Sequence, residues 1–274
     1  MPSSRHRPVP GTDRGRLELV ATLAVVLALS LLGAPASFAA GEEPAAGQPA
    51  ADESAFAWGA EAELATRYVW RGMALSDGAV IQPSAWGSWN AVTLTAWANV
   101  SAGWGDDRGS SDELDLIASY ELSLGDVTLE PYFIHYHLID QPGSSDTGEL
   151  GIKLALPLGS FELFTEHTVD VEDASGAYFG QLGVSYEREL AAAWTATATA
   201  TIGWGSSDFN EYYLGVPDSG FGLAMADFAI TYKLSDALSV RAHIAASTMP
   251  DETLQDQVDD PDLVWGGVVV SFEP

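Results

Sequence analysis

From Phe56 to Phe272 one pattern recurs: apolar residues at every second position for about ten residues, a turn, and the same again. A period of two belongs to a strand with one apolar and one polar face. The segments run Phe56 to Trp70, Ala79 to Trp89, Val92 to Trp104, Leu114 to Leu124, Val127 to Leu138 and Thr147 to Leu158. They continue Phe161 to Val171, Ala177 to Glu187, Trp194 to Trp204, Leu223 to Leu234, Leu238 to Thr248 and Leu263 to Phe272. Helical periodicity is absent from this part of the chain. The connections alternate as regularly as the residues do. Asn90-Ala91, Gly125-Asp126, Gly159-Ser160, Ser235-Asp236 and the stretch Leu190 to Ala193 are short turns. Gly105 to Asp112, Ile139 to Asp146, Ser206 to Gly220 and Met249 to Asp262 are longer acidic loops. An even count of about twelve strands, with short turns at one end and long loops at the other, predicts a single transmembrane antiparallel up-and-down β-barrel, all-β, over residues 55–274. Both chain ends then lie on the short-turn, periplasmic side.

The placement of aromatics sets the faces. In the first segment Phe56, Trp58, Leu64, Tyr68 and Trp70 share a side opposite Glu61, Glu63, Arg67 and Arg71. In the fourth, Leu114, Leu116, Tyr120, Leu122 and Leu124 oppose Glu113, Asp115, Ser119 and Glu121. In the ninth, Trp194, Ala196, Ala198, Ala200, Ile202 and Trp204 oppose a row of threonines. Trp58, Trp70, Trp89, Trp104, Trp194 and Trp204 lie on apolar faces near strand ends, where interfacial girdles place them. A two-layer sandwich explains the alternation but not that placement.

Charge and leader agree with export to a membrane. Of 274 residues 39 are acidic and 11 basic, a net charge of −28, so nucleic acid, which needs a basic face, is not an expected partner. The chain has no cysteine, hence no disulfide, thiolate site or lipoprotein anchor. Residues 1–39 have the basic start, apolar run and small residues of a secretory signal peptide, with cleavage expected after Ala39. Residues 40–54, rich in Ala, Pro, Gly and Glu, form a flexible periplasmic tail on this reading.

The segment Tyr68-Val69-Trp70-Arg71-Gly72, with Ser76-Asp77 and Gln82-Pro83 after it, resembles the TorF-like family of outer-membrane porins, whose members open with a Tyr-Val-aromatic-Arg-Gly strand end. The resemblance implies an outer-membrane barrel. Such barrels usually finish on an aromatic, and here Phe272 is followed by Glu273-Pro274.

Inward parity gives the pore-lining candidates: Glu61, Glu63, Arg67, Arg71, Asp115, Glu121, Glu149, Lys153, Glu162, Glu166, Asp170, Asp227, Lys233 and Arg241. Acids outnumber bases, so the expected activity is passive diffusion of small hydrophilic solutes with a preference for cations. The first and seventh strands face each other across a diameter of about 24 Å, against a combined Arg and Glu reach of ~10 Å, so a water gap between Arg67 or Arg71 and Glu162, Glu166 or Asp170 is expected. The alternatives are a non-conducting structural or surface-binding barrel, its tail or loops gripping a partner, and a barrel lipid hydrolase. The hydrolase lacks a Gly-x-Ser-x-Gly setting. Partners on this reading are outer-membrane lipid, lipopolysaccharide and the solutes; no cofactor is expected. Asp251, Glu252, Asp256, Asp259, Asp260 and Asp262 are candidates for divalent cations, without the spacing of an EF-hand. In the fifth segment the apolar parity of Val127, Leu129 and Pro131 passes to Ile134, Tyr136 and Leu138, which predicts a bulge near Pro131 with His135 and His137 turned inward. With His243 these suggest a metal site or a hydrolase base. His167 shares the outward parity of Phe161 and Leu163.

Overall fold

A computed structural model describes residues 56–103, 112–139, 141 and 145–274. The signal peptide, the tail and Trp104 lie outside the described residues. The wall begins with β1 (Phe56–Ala65). The chain then turns through a small hairpin, β2 (Val69–Trp70) and β3 (Met73–Ala74), before rejoining the wall as β4 (Val80–Trp89) and β5 (Val92–Ser101). β6 (Glu113–Tyr120) continues as β7 (Leu122–Leu124), and the two act as one wall strand. There follow β8 (Val127–Leu138), β9 (Thr147–Leu158), β10 (Phe161–Asp170), β11 (Tyr178–Ala191), β12 (Trp194–Gly205), β13 (Gly220–Lys233), β14 (Leu238–Thr248) and β15 (Asp262–Phe272). Each wall strand pairs antiparallel with its neighbours, and β1 pairs with β15 from Ala60↔Phe272 to Ala65↔Gly267. The result is a closed barrel of 12 strands without a free edge.

The faces follow the alternation. Leu116, Tyr120, Leu122 and Leu124 are exposed on the outside, while Glu113, Asp115 and Ser119 are buried on the inside. At the short-turn rim aromatics pair across neighbouring strands: Trp58 with Phe272 at 5.8 Å between centroids, Phe161 with Tyr186 at 4.9 Å, and Trp194 with Tyr232 at 4.5 Å. That belt suits the interface of a bilayer.

Three sequence expectations are corrected. The first strand does not run to Trp70. It stops at Ala65, and Arg71 (φ 50°) and Gly72 (φ 85°) form a two-residue turn with positive φ at both positions, the geometry that closes tight hairpins. Trp70 therefore faces the interior and not the lipid. The bulge at Pro131 does not exist: Leu122↔Leu129, Ser119↔Tyr132 and Glu113↔Leu138 belong to one uninterrupted register. Ile134 and Tyr136 are buried inside, and His135 and His137 lie on the outer side near the long-loop rim, where His137 Nδ1 is 2.7 Å from Asp146 and His135 Nδ1 is 3.4 Å from Glu172. The parity misled because the long-loop half of the barrel is filled with apolar side chains. Met73, Ala174, Ala177, Phe179, Phe209, Val216, Leu223, Met249 and Leu254 form one buried cluster there. An inward-facing apolar residue in that half meets protein, not water.

His167 also finds its explanation. On the outer face its Nδ1 is 2.7 Å from the Tyr178 hydroxyl and its Nε2 3.0 Å from Thr165 Oγ1. Tyr178 and Trp204 crowd over Gly180, where a Cβ would meet Tyr178 Oη at 2.5 Å. The imidazole is thus satisfied in a groove that only a glycine leaves open.

Candidate functional site

The hairpin β2–β3 leaves the wall after Ala65 and reaches across the lumen. Tyr68 closes it by accepting from Leu75 N at 2.9 Å. Its turn passes close to β13, where a Cβ on Gly72 would come within 2.7 Å of the Gly222 carbonyl oxygen. On the opposite side, at β9 and β10, Arg71 donates from Nη1 to Glu149 Oε1 at 2.7 Å, from Nη2 to Glu149 Oε2 at 2.5 Å and to Thr168 Oγ1 at 2.9 Å. Its guanidinium also lies 4.4 Å from the Trp70 ring centre and 4.8 Å from that of Phe179. Glu149 is only 1% exposed and takes a further hydrogen bond from Tyr136 Oη at 3.1 Å. A bidentate, desolvated pair of this kind fixes both position and orientation. The expected gap between Arg71 and the opposite wall is therefore bridged, because the hairpin carries the arginine inward. An arginine held on the wall itself could not span the lumen.

Against the hairpin lie two cavities that share Val69 and Trp265. One of about 340 Å³ sits by its tip, with Lys153, Glu166, Gln181 and Tyr132 in its lining. The other, about 240 Å³, sits by its base, with Glu63, Arg67, Gln82 and His243. In the second, His243 is held between carboxylates, Nε2 2.8 Å from Glu63 Oε1 and Nδ1 2.8 Å from Asp227 Oδ2, while Arg241 Nη2 donates to Asp227 Oδ1 at 2.9 Å. Gly267 in β15 makes room for this row, since a Cβ there would fall 2.1 Å from Glu63 Oε1.

The remaining candidates are spread over the wall. Asp170 accepts from Thr147 Oγ1 at 2.5 Å and from Glu172 N at 2.9 Å, and so organises the loop after β10. Asp115 is buried beside Glu113, which accepts from Tyr68 Oη at 3.1 Å. Glu61 accepts weakly from Ser271 at 3.4 Å. Lys233 turns to Asp236 in the short turn, 3.6 Å away. Glu121 falls at the break between β6 and β7, and Glu162 stands opposite Ser185 on the inner face. Among the described residues no three His, Asp or Glu side chains converge as metal ligands, so the histidines and the acids of 251–262 form no preformed site. Asp251 instead caps the short helix Glu252–Gln255, accepting from Thr253 N at 2.8 Å.

Sequence reasoning missed Glu130, Tyr132, Tyr136 and Gln181 as lumen residues. Glu130 precedes the inferred bulge and faces inward on either reading, whereas for Tyr132 and Tyr136 the signal in the even positions of β8 was hidden by the bulge.

No curated protein matches the sequence. Among the solved structures that share the fold are two porins. The KdgM porin superposes with a TM-score of 0.52 at 10% identity, covering 78% of this chain and 98% of that one. The NanC porin superposes with a TM-score of 0.51 at 12% identity, covering 77% and 97%. The family description that matches is "MltA-interacting protein MipA", over residues 53–253; it does not carry the TorF-like name that the Tyr68–Gly72 motif suggests. With most of its length matched and a barrel of the porin kind, the chain belongs to the MipA family.

Proposed function

We propose that this barrel sits in the outer membrane, long loops toward lipopolysaccharide, as a restricted diffusion channel for small hydrophilic solutes whose passage is narrowed by the Arg71 hairpin. The observation that carries this reading is the pair of cavities, each with charged side chains in its lining, lying against that hairpin inside a closed wall. A cation preference is supported by the inward acids, among them Glu63, Glu130, Glu149, Glu162, Glu166, Asp170 and Asp227, which exceed the inward bases Arg67, Arg71, Lys153, Lys233 and Arg241. The full-length protein in a planar bilayer tests it. Small, cation-selective conductance steps are expected, and a silent bilayer or an anion-selective reversal potential would refute the channel.

A second reading has its own support. The family is named for interaction with MltA, and the apolar cluster packed into the long-loop mouth suits a barrel that carries a partner more than a stream of solute. On this reading the barrel anchors an MltA-type protein. Co-purification with MltA from detergent, absent with an unrelated barrel, is the expected result.

A further inference from the structure

The lumen wall beside the larger cavity carries a polar row in strict register: Glu130 opposite Lys153, Lys153 opposite Glu166, and Glu166 opposite Gln181, across β8, β9, β10 and β11. The Arg71 clamp does not use it. Glu166 is fixed at the centre of the row, accepting from Tyr132 Oη at 2.6 Å and from Gln181 Nε2 at 2.7 Å, with Lys153 Nζ 3.9 Å away. On each side of the row one aromatic ring lies flat on a glycine of the neighbouring strand. Tyr132, one inward position toward the long loops from Glu130, covers Gly151, where a Cβ would meet its Cζ at 2.1 Å. Phe164, one inward position toward the short turns from Glu166, covers Gly183, with Cζ at 2.1 Å from such a Cβ. A ring pressed face-down on a glycine turns its other face to the lumen. Lys153 is half exposed between them, 5.1 Å from the Tyr132 ring centre.

Flat faces above and below a ladder of fixed donors and acceptors match the chemistry of a sugar: C–H faces for the rings and a rim of hydroxyls for the ladder. Two carboxylates against one ammonium disfavour an acidic ligand. We propose that Tyr132, Glu130, Lys153, Glu166, Gln181 and Phe164 form a lumen site for a short neutral saccharide. This rests on the reading that solute reaches the lumen, and it names the class of solute.

Calorimetric titration of the detergent-purified, full-length barrel with maltose, cellobiose and chitobiose, and with digalacturonate as the acidic control, tests it. Saturable binding of at least one neutral disaccharide is expected, with digalacturonate weaker by about tenfold or more. Phe164→Leu and Lys153→Met should each lower the affinity about fivefold while the barrel keeps its heat-modifiable mobility on a gel. No saturable heat with any neutral disaccharide, or affinities unchanged in both variants, would overturn the site. Bilayer recordings separate this from the channel reading. Conductance steps with no sugar binding leave the channel standing and end the saccharide site; sugar binding without steps does the reverse.

Discussion

Arg71 holds a left-handed backbone angle that costs a non-glycine residue about 1 kcal/mol or more, and it is kept there by the bidentate bond to Glu149 and the rings around it. Arg71→Ala leaves a buried carboxylate without its partner, a loss of about 3–5 kcal/mol. We expect the hairpin to release: single-channel conductance should rise severalfold, and adding Glu149→Gln to the same chain should restore part of the lost thermal stability. Both side chains were legible in the sequence as inward. Their meeting was not, because alternation carried through Trp70 outweighed the Arg71-Gly72 turn signal and kept the arginine on the wall. His167 was likewise visible but unexplained, since its partner Tyr178 comes from the next strand and only Gly180 gives the two rings their room.

At the scale of elements, strand number and turn placement could be read from the chain, while the phase of β8 could not. Hydrophobicity identifies the lipid face only where the opposite face meets water, and the outer half of this lumen is packed. The absence of native cysteine allows a direct check. In intact cells a membrane-impermeant maleimide should label His135→Cys readily and Ile134→Cys hardly at all; the reverse pattern would favour the bulge. The helix Ser207–Leu214 was missed because it is short and lies in a loop. Ser206 caps its start, Gly215 (φ 71°) ends it, and Phe209 is thereby laid into the apolar cluster. Tyr212 fastens this helix to the loop after β10 by donating to Asp173, and that bond pushes its phenol up to about 12. A phenol raised from about 10 gives stabilisation that is complete below the lower value and lost as pH climbs through the upper one. The ultraviolet difference titration between the native chain and Tyr212→Phe should therefore show its midpoint near the upper value.

For the whole molecule, the uneven lumen charge makes selectivity a collective property. Neutralising both Glu63 and Asp227, as Glu63→Gln with Asp227→Asn, also leaves His243 without its flanking anions. The cation preference should fall, and more so at low salt than at high, because the field of partly solvated charges is screened over about 10 Å at 0.1 M. A reversal potential unmoved by the pair would assign selectivity elsewhere. The covalent continuity of the hairpin has a last consequence. Its strands are joined to the wall by residues 66–68 on one side and 75–79 on the other, leads of roughly 10 and 17 Å when fully drawn out. A freed hairpin can swing on that leash but cannot be expelled, so any wider state keeps the stopper beside its own doorway, ready to reseat without help from another molecule.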